Sequence, residues 1–412
     1  MFRIIANNIK VRTSLNVNIL NCKKYITTMK LVFVTNLVHH HQIPVADEFY
    51  KLLGDDYKYI STEPMPEWLI KGGYDPTINR PYIIRAYESD ETLKYAQKLA
   101  DEADVVIIGS APETYVTNRI KKGKVTFRYS ERWFKNRRWY LSGPKAWMNY
   151  FKYHIIHWNK PLYMLAASAY TCRDVNAIGA YFGKVFKWGY FTRVDDFPLE
   201  ACKKLDASSG ESAPHIMWCA RCLRWKHPEL PVMLAKRLKD KGYNFHIDMY
   251  GSGEELNATM QLAQNLAVED KVSFCGNLPN EEILNQMRQH EIFLFTSDRN
   301  EGWGAVLNES MSNGCAVVAS NLIGSVPFLI QDGKNGLIFK SENIDSLEKN
   351  VMYLLDNPSR RIEIAKNAIL TMRNVWSPKN ASKNFFELVE ALTTKNRALI
   401  PKNGPCSKAE RI

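Results

Sequence analysis

The chain has 412 residues, a net charge of +12, 45% hydrophobic residues and 24% charged residues. This length suits two or three domains, and the apolar share fills packed cores, which excludes a disordered or fibrous chain. The positive balance favours anionic partners such as phosphates, an anionic membrane surface or nucleic acid, without choosing among them.

No run approaches the roughly 20 apolar residues of a spanning helix. The eight cysteines are scattered, as reduced buried thiols of a cytosolic protein would be. Cys219 and Cys222 form a CxxC, but no second pair or adjacent histidine cluster in sequence completes a zinc motif; a redox pair is the alternative.

Residues 1–28 lack acids and carry Arg3, Lys10, Arg12, Lys23 and Lys24. They read as an extension outside the fold, either a weak transit-like segment or sequence upstream of a start at Met29. Leu31–Thr35 is a short β-branched and aromatic run, a buried strand. His39, His40, His41 and Gln42 follow it, then a helix to Leu53. No GxGxxG occurs at this turn. Three consecutive imidazoles are expected to diverge, so the segment reads as a ligand-facing loop rather than a metal site.

Strands are expected at Tyr57–Ser61, Asp104–Ser110 and Leu162–Ala167, with a charged helix over 88–103 between the first two. This alternation implies βαβ units and a parallel sheet. Residues 119–160 hold twelve lysines and arginines against one acid, Glu131, interleaved with eleven aromatic residues. Such a stretch suits an anionic membrane interface. Single-strand nucleic-acid binding and a solvated basic helix with core-facing aromatics are the alternatives. Residues 201–214 have linker composition.

The second half opens with a strand at Ile216–Ala220, and Arg221 and Lys226 lie just past its end. Two cations there can clamp a diphosphate. Strands follow at Phe245–Tyr250 and Val272–Cys275, with Asn277 in the loop after the latter. The most informative stretch is 292–313. An apolar strand ends in a polar turn, then Glu301-Gly302-Trp303-Gly304 leads into a helical pattern over 305–312, with Glu309 inside it. Glycines let backbone amides approach a ligand, and a helix start adds unsatisfied N–H groups. Carboxylates at both positions can accept hydrogen bonds from sugar or ribose hydroxyls. Further strands and helices reach residue 393, and the Pro- and Gly-containing basic tail 395–412 is expected to be disordered.

The Glu301-x7-Glu309 pattern, with EGWG between strand and helix, resembles the signature of family 4 glycosyltransferases. His40-His41-Gln42-Ile43-Pro44 and Ser168-Ala169-Tyr170-Thr171 are similar to segments of a bacterial polysaccharide-type subgroup. Arg221 and Lys226 match a G-R-L stretch with a lysine five residues on, although Ala220 and Cys222 replace its glycine and leucine. Ser325 and Phe328 stand where the family often has a glycine and a glutamate.

The resemblance implies an α/β GT-B fold: two Rossmann-like domains, 29–200 and 215–376, face a cleft, and a helix over 377–394 crosses back to the first. It implies a retaining transfer from a nucleotide sugar, UDP-linked by expectation, to an acceptor glycan or lipid-linked saccharide. In that scheme Glu301, Arg221 and Lys226 are catalytic. Gly302, Trp303, Gly304, Glu309 and Asn277 bind donor, and His40, His41 and Gln42 face the acceptor. No DxD is present, so no metal or other cofactor is expected, and no nucleic acid. A cytoplasmic enzyme peripheral to the inner membrane face is implied. A nucleotide-sugar 2-epimerase of the same fold, or a silent nucleotide- or carbohydrate-binding protein, is the alternative.

Overall fold

In a computed structural model, residues 29–71, 74–135, 143–196, 199 and 213–412 are described. The extension 1–28 and nearly all of the 201–214 linker lie outside them, as do four of the basic and aromatic residues of 119–160, Arg137, Arg138, Trp139 and Tyr140.

The first lobe is a seven-stranded parallel sheet. Its strands are β1 (Leu31–Thr35), β2 (Tyr57–Ser61), β3 (Ile83–Arg85), β4 (Val105–Ile108), β5 (Val125–Ser130), β6 (Leu162–Ala166) and β7 (Val185–Lys187), in the order 3-2-1-4-5-6-7. The second lobe repeats the plan with β8 (His215–Cys219), β9 (His246–Tyr250), β10 (Val272–Gly276), β11 (Ile292–Phe295), β12 (Ala316–Ser320) and β13 (Leu337–Phe339), ordered 10-9-8-11-12-13. Every β1, β4, β11 and β12 residue is buried, as strands covered by helices on both faces must be. Each sheet reverses its order beside its first strand, and ligands bind at such a switch point.

Five helices position the site: α1 (Ile43–Leu53), α2 (Asp90–Glu102), α3 (Gly143–Tyr153), α4 (Val306–Ser312) and α5 (Pro378–Thr393). Helix α2 starts where Ser89 accepts from the Thr92 amide, the usual N-cap device. Helix α5 begins with the same device, Ser377 accepting from Asn380, followed by Pro378. It then crosses to the first lobe, where Phe385 and Phe386 pack on Phe49 of α1 at ring-centroid distances of 5.4 and 5.7 Å.

One expectation is corrected. The tail is ordered: the Cys406 amide donates to the Lys187 carbonyl at 2.7 Å, and the Lys187 amide to Ser407 at 2.8 Å. Lys408 bridges antiparallel to Phe186. The tail thus covers the outer edge of β7, whose unpaired amides and carbonyls need partners. That demand comes from the sheet, and nothing in a Pro- and Gly-rich segment announces it.

The basic stretch 119–160 is divided between core and surface. Arg119, Arg128 and Arg132 are buried. Arg128 forks onto Glu113 with two bonds of 2.7 Å. Arg119 donates to the carbonyls of Ala100, Ala103, Asp104 and Val125 and to the Thr126 hydroxyl. It closes the C-terminal end of α2, where carbonyls lack helical partners. Burial pulls its pKa down to about 10, so it remains charged at neutral pH. We expect Arg119→Leu to lower unfolding free energy by about 3–5 kcal/mol, because several buried carbonyls lose their donor at ~1–3 kcal/mol each and only some recover water. Urea denaturation would measure it. The exposed part includes α3 and its continuation, which display Trp147, Met148, Phe151, Ile156 and Trp158. No helix among the described residues is long and apolar enough to cross a membrane.

Candidate active site

The loops after β8 and β11 lie side by side because those strands are hydrogen-bonded neighbours. Arg224–Lys226 form a single 3-10 turn. It aims the Lys226 ammonium at Glu301, with which it pairs directly, and over the Trp225 ring at 4.2 Å. Glu301 is 8% exposed and also accepts from the Ser297 hydroxyl at 3.1 Å. The buried pair is therefore fixed from both sides. His227, next in sequence, sits at φ +53° between Glu229 and Asp298. Burial opposes its charge, but hydrogen bonding to Asp298 and Glu229 raises its pKa to about 9. It is thus cationic at neutral pH and anchors the turn that carries Glu301.

Gly304 has φ +83°, a conformation few other residues adopt. A side chain on Gly302 would collide with the carboxylate of Glu131 from the first lobe. Helix α4 begins at Val306, one residue later than expected, and is seven residues long. Glu309 lies in it, 9% exposed, and accepts from the Asn280 side chain at 3.2 Å. His41 reaches it from the opposite lobe at 3.8 Å.

Trp303 has a fully buried side chain. Its indole donates to Asn308 at 2.9 Å and packs against Trp376 and against Tyr190 of the first lobe, so the ring joins the lobes. Asn277 is exposed and donates to Ser252 at 2.7 Å, on the rim. Arg221 is exposed; its positive charge partly offsets the upward push of burial on the Tyr74 phenol across the cleft.

On the first lobe, a turn closed by the Gln42 amide on the His39 carbonyl gathers His39, His40 and His41, with ring centroids 3.9–5.2 Å apart. This corrects the expectation that the rings diverge: the chain reverses before α1 instead of remaining extended. Burial lowers His39 far below the usual histidine range and His40 to about 4, so both are neutral. Gln42 donates to the Tyr129 hydroxyl at 2.9 Å. The Gln42 side-chain oxygen Oε1 and His41 Nδ1 are buried and, among the described residues, unpartnered. Gln42 lines a 340 Å3 cavity together with His39, Tyr129, Glu131 and Tyr190. A larger hollow of 1020 Å3 lies behind the hinge beside Arg193 and Arg373, and neither Lys226 nor Glu301 lines it.

Sequence reasoning missed Glu131, Tyr190 and Tyr74. Glu131 accepts from Tyr190 at 2.9 Å and Lys135 at 2.8 Å, directly facing the Gly302 loop. Its signal was available: a lone acid in a basic run, one residue past a strand end. The CxxC carries no reactive thiolate, because burial pushes the Cys219 thiol up to about 12.

Residues 206–371 match the family described as glycosyl transferases group 1. The matched stretch covers most of the second lobe. The whole chain has the GT-B architecture. Its fold is similar to that of Anabaena HepE solved in complex with UDP, with a TM-score of 0.64 at 14% identity, covering 88% of this chain and all of that one. Among curated proteins, an uncharacterized glycosyltransferase of Methanocaldococcus jannaschii is 25% identical over 43% of this chain and 45% of its own length. The GtfA subunit of the Streptococcus pneumoniae UDP-N-acetylglucosamine–peptide N-acetylglucosaminyltransferase is 23% identical over 50% of this chain and 39% of its own. The chain thus aligns with less than half the length of these two relatives.

Proposed function

We propose that this GT-B protein transfers a sugar from a nucleotide diphosphate sugar, of the UDP type, to an acceptor hydroxyl with retention of configuration. The observation that carries this reading is the buried Lys226–Glu301 pair beside Glu309 at the switch point of the second sheet. Departure of the nucleotide builds negative charge on the β-phosphate. Arg221 and Lys226 stabilise it as fixed charges that need no reorganisation. Glu301 holds donor sugar hydroxyls, Glu309 the ribose, and Asn277 borders the base. Amides near Gly302 and Gly304 add donors towards the phosphates. The UDP found with HepE and the UDP-N-acetylglucosamine in the GtfA name support the nucleotide class.

The acceptor enters from the first lobe, where Gln42 and His41 offer buried, unpartnered atoms and His40 a neutral ring. A front-face displacement lets the leaving phosphate take the acceptor proton, so no protein base and no metal is required. A lipid-linked or polysaccharide acceptor fits the exposed Trp147, Phe151 and Trp158 beside Lys145 and Lys152, which suit an anionic bilayer surface. Co-sedimentation with anionic but not neutral vesicles tests that contact.

The central experiment measures nucleotide release from UDP- and GDP-sugars with and without a lipid-linked acceptor extract. Acceptor-dependent UDP release with a glycosylated product is expected. Conversion of the UDP-sugar to its 2-epimer without acceptor, or UDP binding without turnover, would overturn transfer. We expect Glu309→Gln to raise donor KM about tenfold with little change in kcat, the loss of about 1.4 kcal/mol of ribose binding. An unchanged KM would remove its ribose role.

A further inference from the structure

At the amino end of the second sheet, away from the loops that carry Arg221 and Glu301, three imidazoles surround one carboxylate. His215 opens β8, His246 and Asp248 lie on β9, and His290 stands two residues before the first residue of β11. Asp248 Oδ2 is 3.1 Å from His215 Nδ1 and 2.9 Å from His290 Nε2. His246 Nε2 is 3.6 Å from the other carboxylate oxygen and 2.7 Å from the Ser273 hydroxyl. The potential ligand atoms of His215, Asp248 and His290 all fall within 4.8 Å of one another.

We propose that His215, Asp248 and His290 bind a divalent transition ion, of which zinc fits the donor set best, with water in the remaining position. Bonds of about 2.0–2.2 Å to a tetrahedral zinc place two ligand atoms roughly 3.3–3.5 Å apart. The observed spacings need only a few tenths of an ångström of outward movement, and His215, half exposed, has room to give it.

The orientation of His290 supplies an independent reason. Its Nδ1 lies 2.7 Å from the Gln286 carbonyl, an acceptor only, so Nδ1 carries the proton. In the neutral ring, Nε2 then presents a lone pair straight at a carboxylate oxygen. Two lone pairs at 2.9 Å repel, and a cation must lie between them: a second proton or a metal. A ring N–H donated to a backbone carbonyl is the arrangement that orients metal-binding histidines. Such an ion would tie the start of β8 to β9 and to the entry of β11. It has no part in the transfer chemistry.

The test uses the full chain after chelator treatment, titrated with zinc chloride by calorimetry and with cobalt chloride by visible absorption. One ion per chain, a rise in Tm with zinc, and the d–d bands of tetrahedral cobalt are expected. His215→Ala, at an exposed strand start, should stay folded and weaken zinc at least about 100-fold, the upper end of what outer-shell losses alone cost. Asp248→Asn should abolish the cobalt bands. No ion bound at micromolar zinc would mean a proton-shared imidazolium–carboxylate pair and overturn the proposal. Equal binding after His215→Ala and Asp248→Asn together would do the same, as would an ion lost only on substitution of His39, His40 and His41. None of these readouts uses sugar transfer, so failure here leaves the proposed activity to be judged separately.

Discussion

Glu301→Gln lowers kcat for sugar transfer by about 10^2–10^3-fold while the protein stays folded, the scale expected when one preorganised polar contact to a reacting group is lost. The isosteric amide matters to the design. Glu301 and Lys226 have side chains only 10% and 12% exposed. Glu301→Ala strands the lysine charge and costs ~3–5 kcal/mol of stability by itself, so a dead alanine variant would confuse collapse with lost chemistry. Glutamine keeps volume and one acceptor oxygen for Ser297, yet it cannot balance Lys226 or hold a sugar hydroxyl as a carboxylate does. Arg221→Ala is the companion. Its side chain is exposed, so any loss of transfer arises from the missing charge at the departing phosphate. Steady-state kinetics with circular dichroism checks both, and near-full activity in either would remove that residue from the machinery.

Gly189→Ala separates binding from transfer. An added Cβ at Gly189 would lie 2.3 Å from the fully buried Trp303 ring, and that ring is wedged between Tyr190 and Trp376. The indole cannot swing away without breaking its bond to Asn308, which in turn donates to the Tyr190 carbonyl. Overpacking of this kind costs about 1–3 kcal/mol and is relieved by moving backbone. Here the backbone that moves is the seam between lobes. Lys226, Glu301 and Glu309 belong to one lobe, and His41, Gln42 and Glu131 to the other. A shift of about 1 Å between them is enough for roughly a 100-fold loss of turnover. UDP affinity by calorimetry should remain near wild type, because Lys226, Glu301 and Glu309 move together. Equal loss of UDP binding would show that the seam supports the donor site itself.

Several parts of this site are legible in the amino-acid sequence. Strands such as β1, β11 and β12 are continuous apolar runs bounded by turn residues, and that pattern alone dictates buried parallel strands. The Glu301–Glu309 spacing around two glycines and the Arg221–Lys226 pair are local in sequence, so their placement at strand ends can be read directly. The charge run at 119–160 misleads because composition does not distinguish a lysine in solvent from Arg119, which satisfies carbonyls inside the lobe. The tail misleads for the complementary reason: its order is imposed by the open edge of β7 rather than by its own residues.

The amino-acid sequence by itself determined the repeating strand–helix pattern, the two switch-point loops and the chemical types of the side chains those loops carry, since each depends on residues within one or two turns of one another. Only the tertiary structure decided what faces those loops. Glu131 meets Gly302, His41 meets Glu309, and Trp303 fills the space over Gly189, although each pair comes from different lobes. Contacts of that kind are set by how two sheets pack through α5 and the shared aromatic seam, and packing depends on shape in three dimensions, which no spacing along the chain encodes.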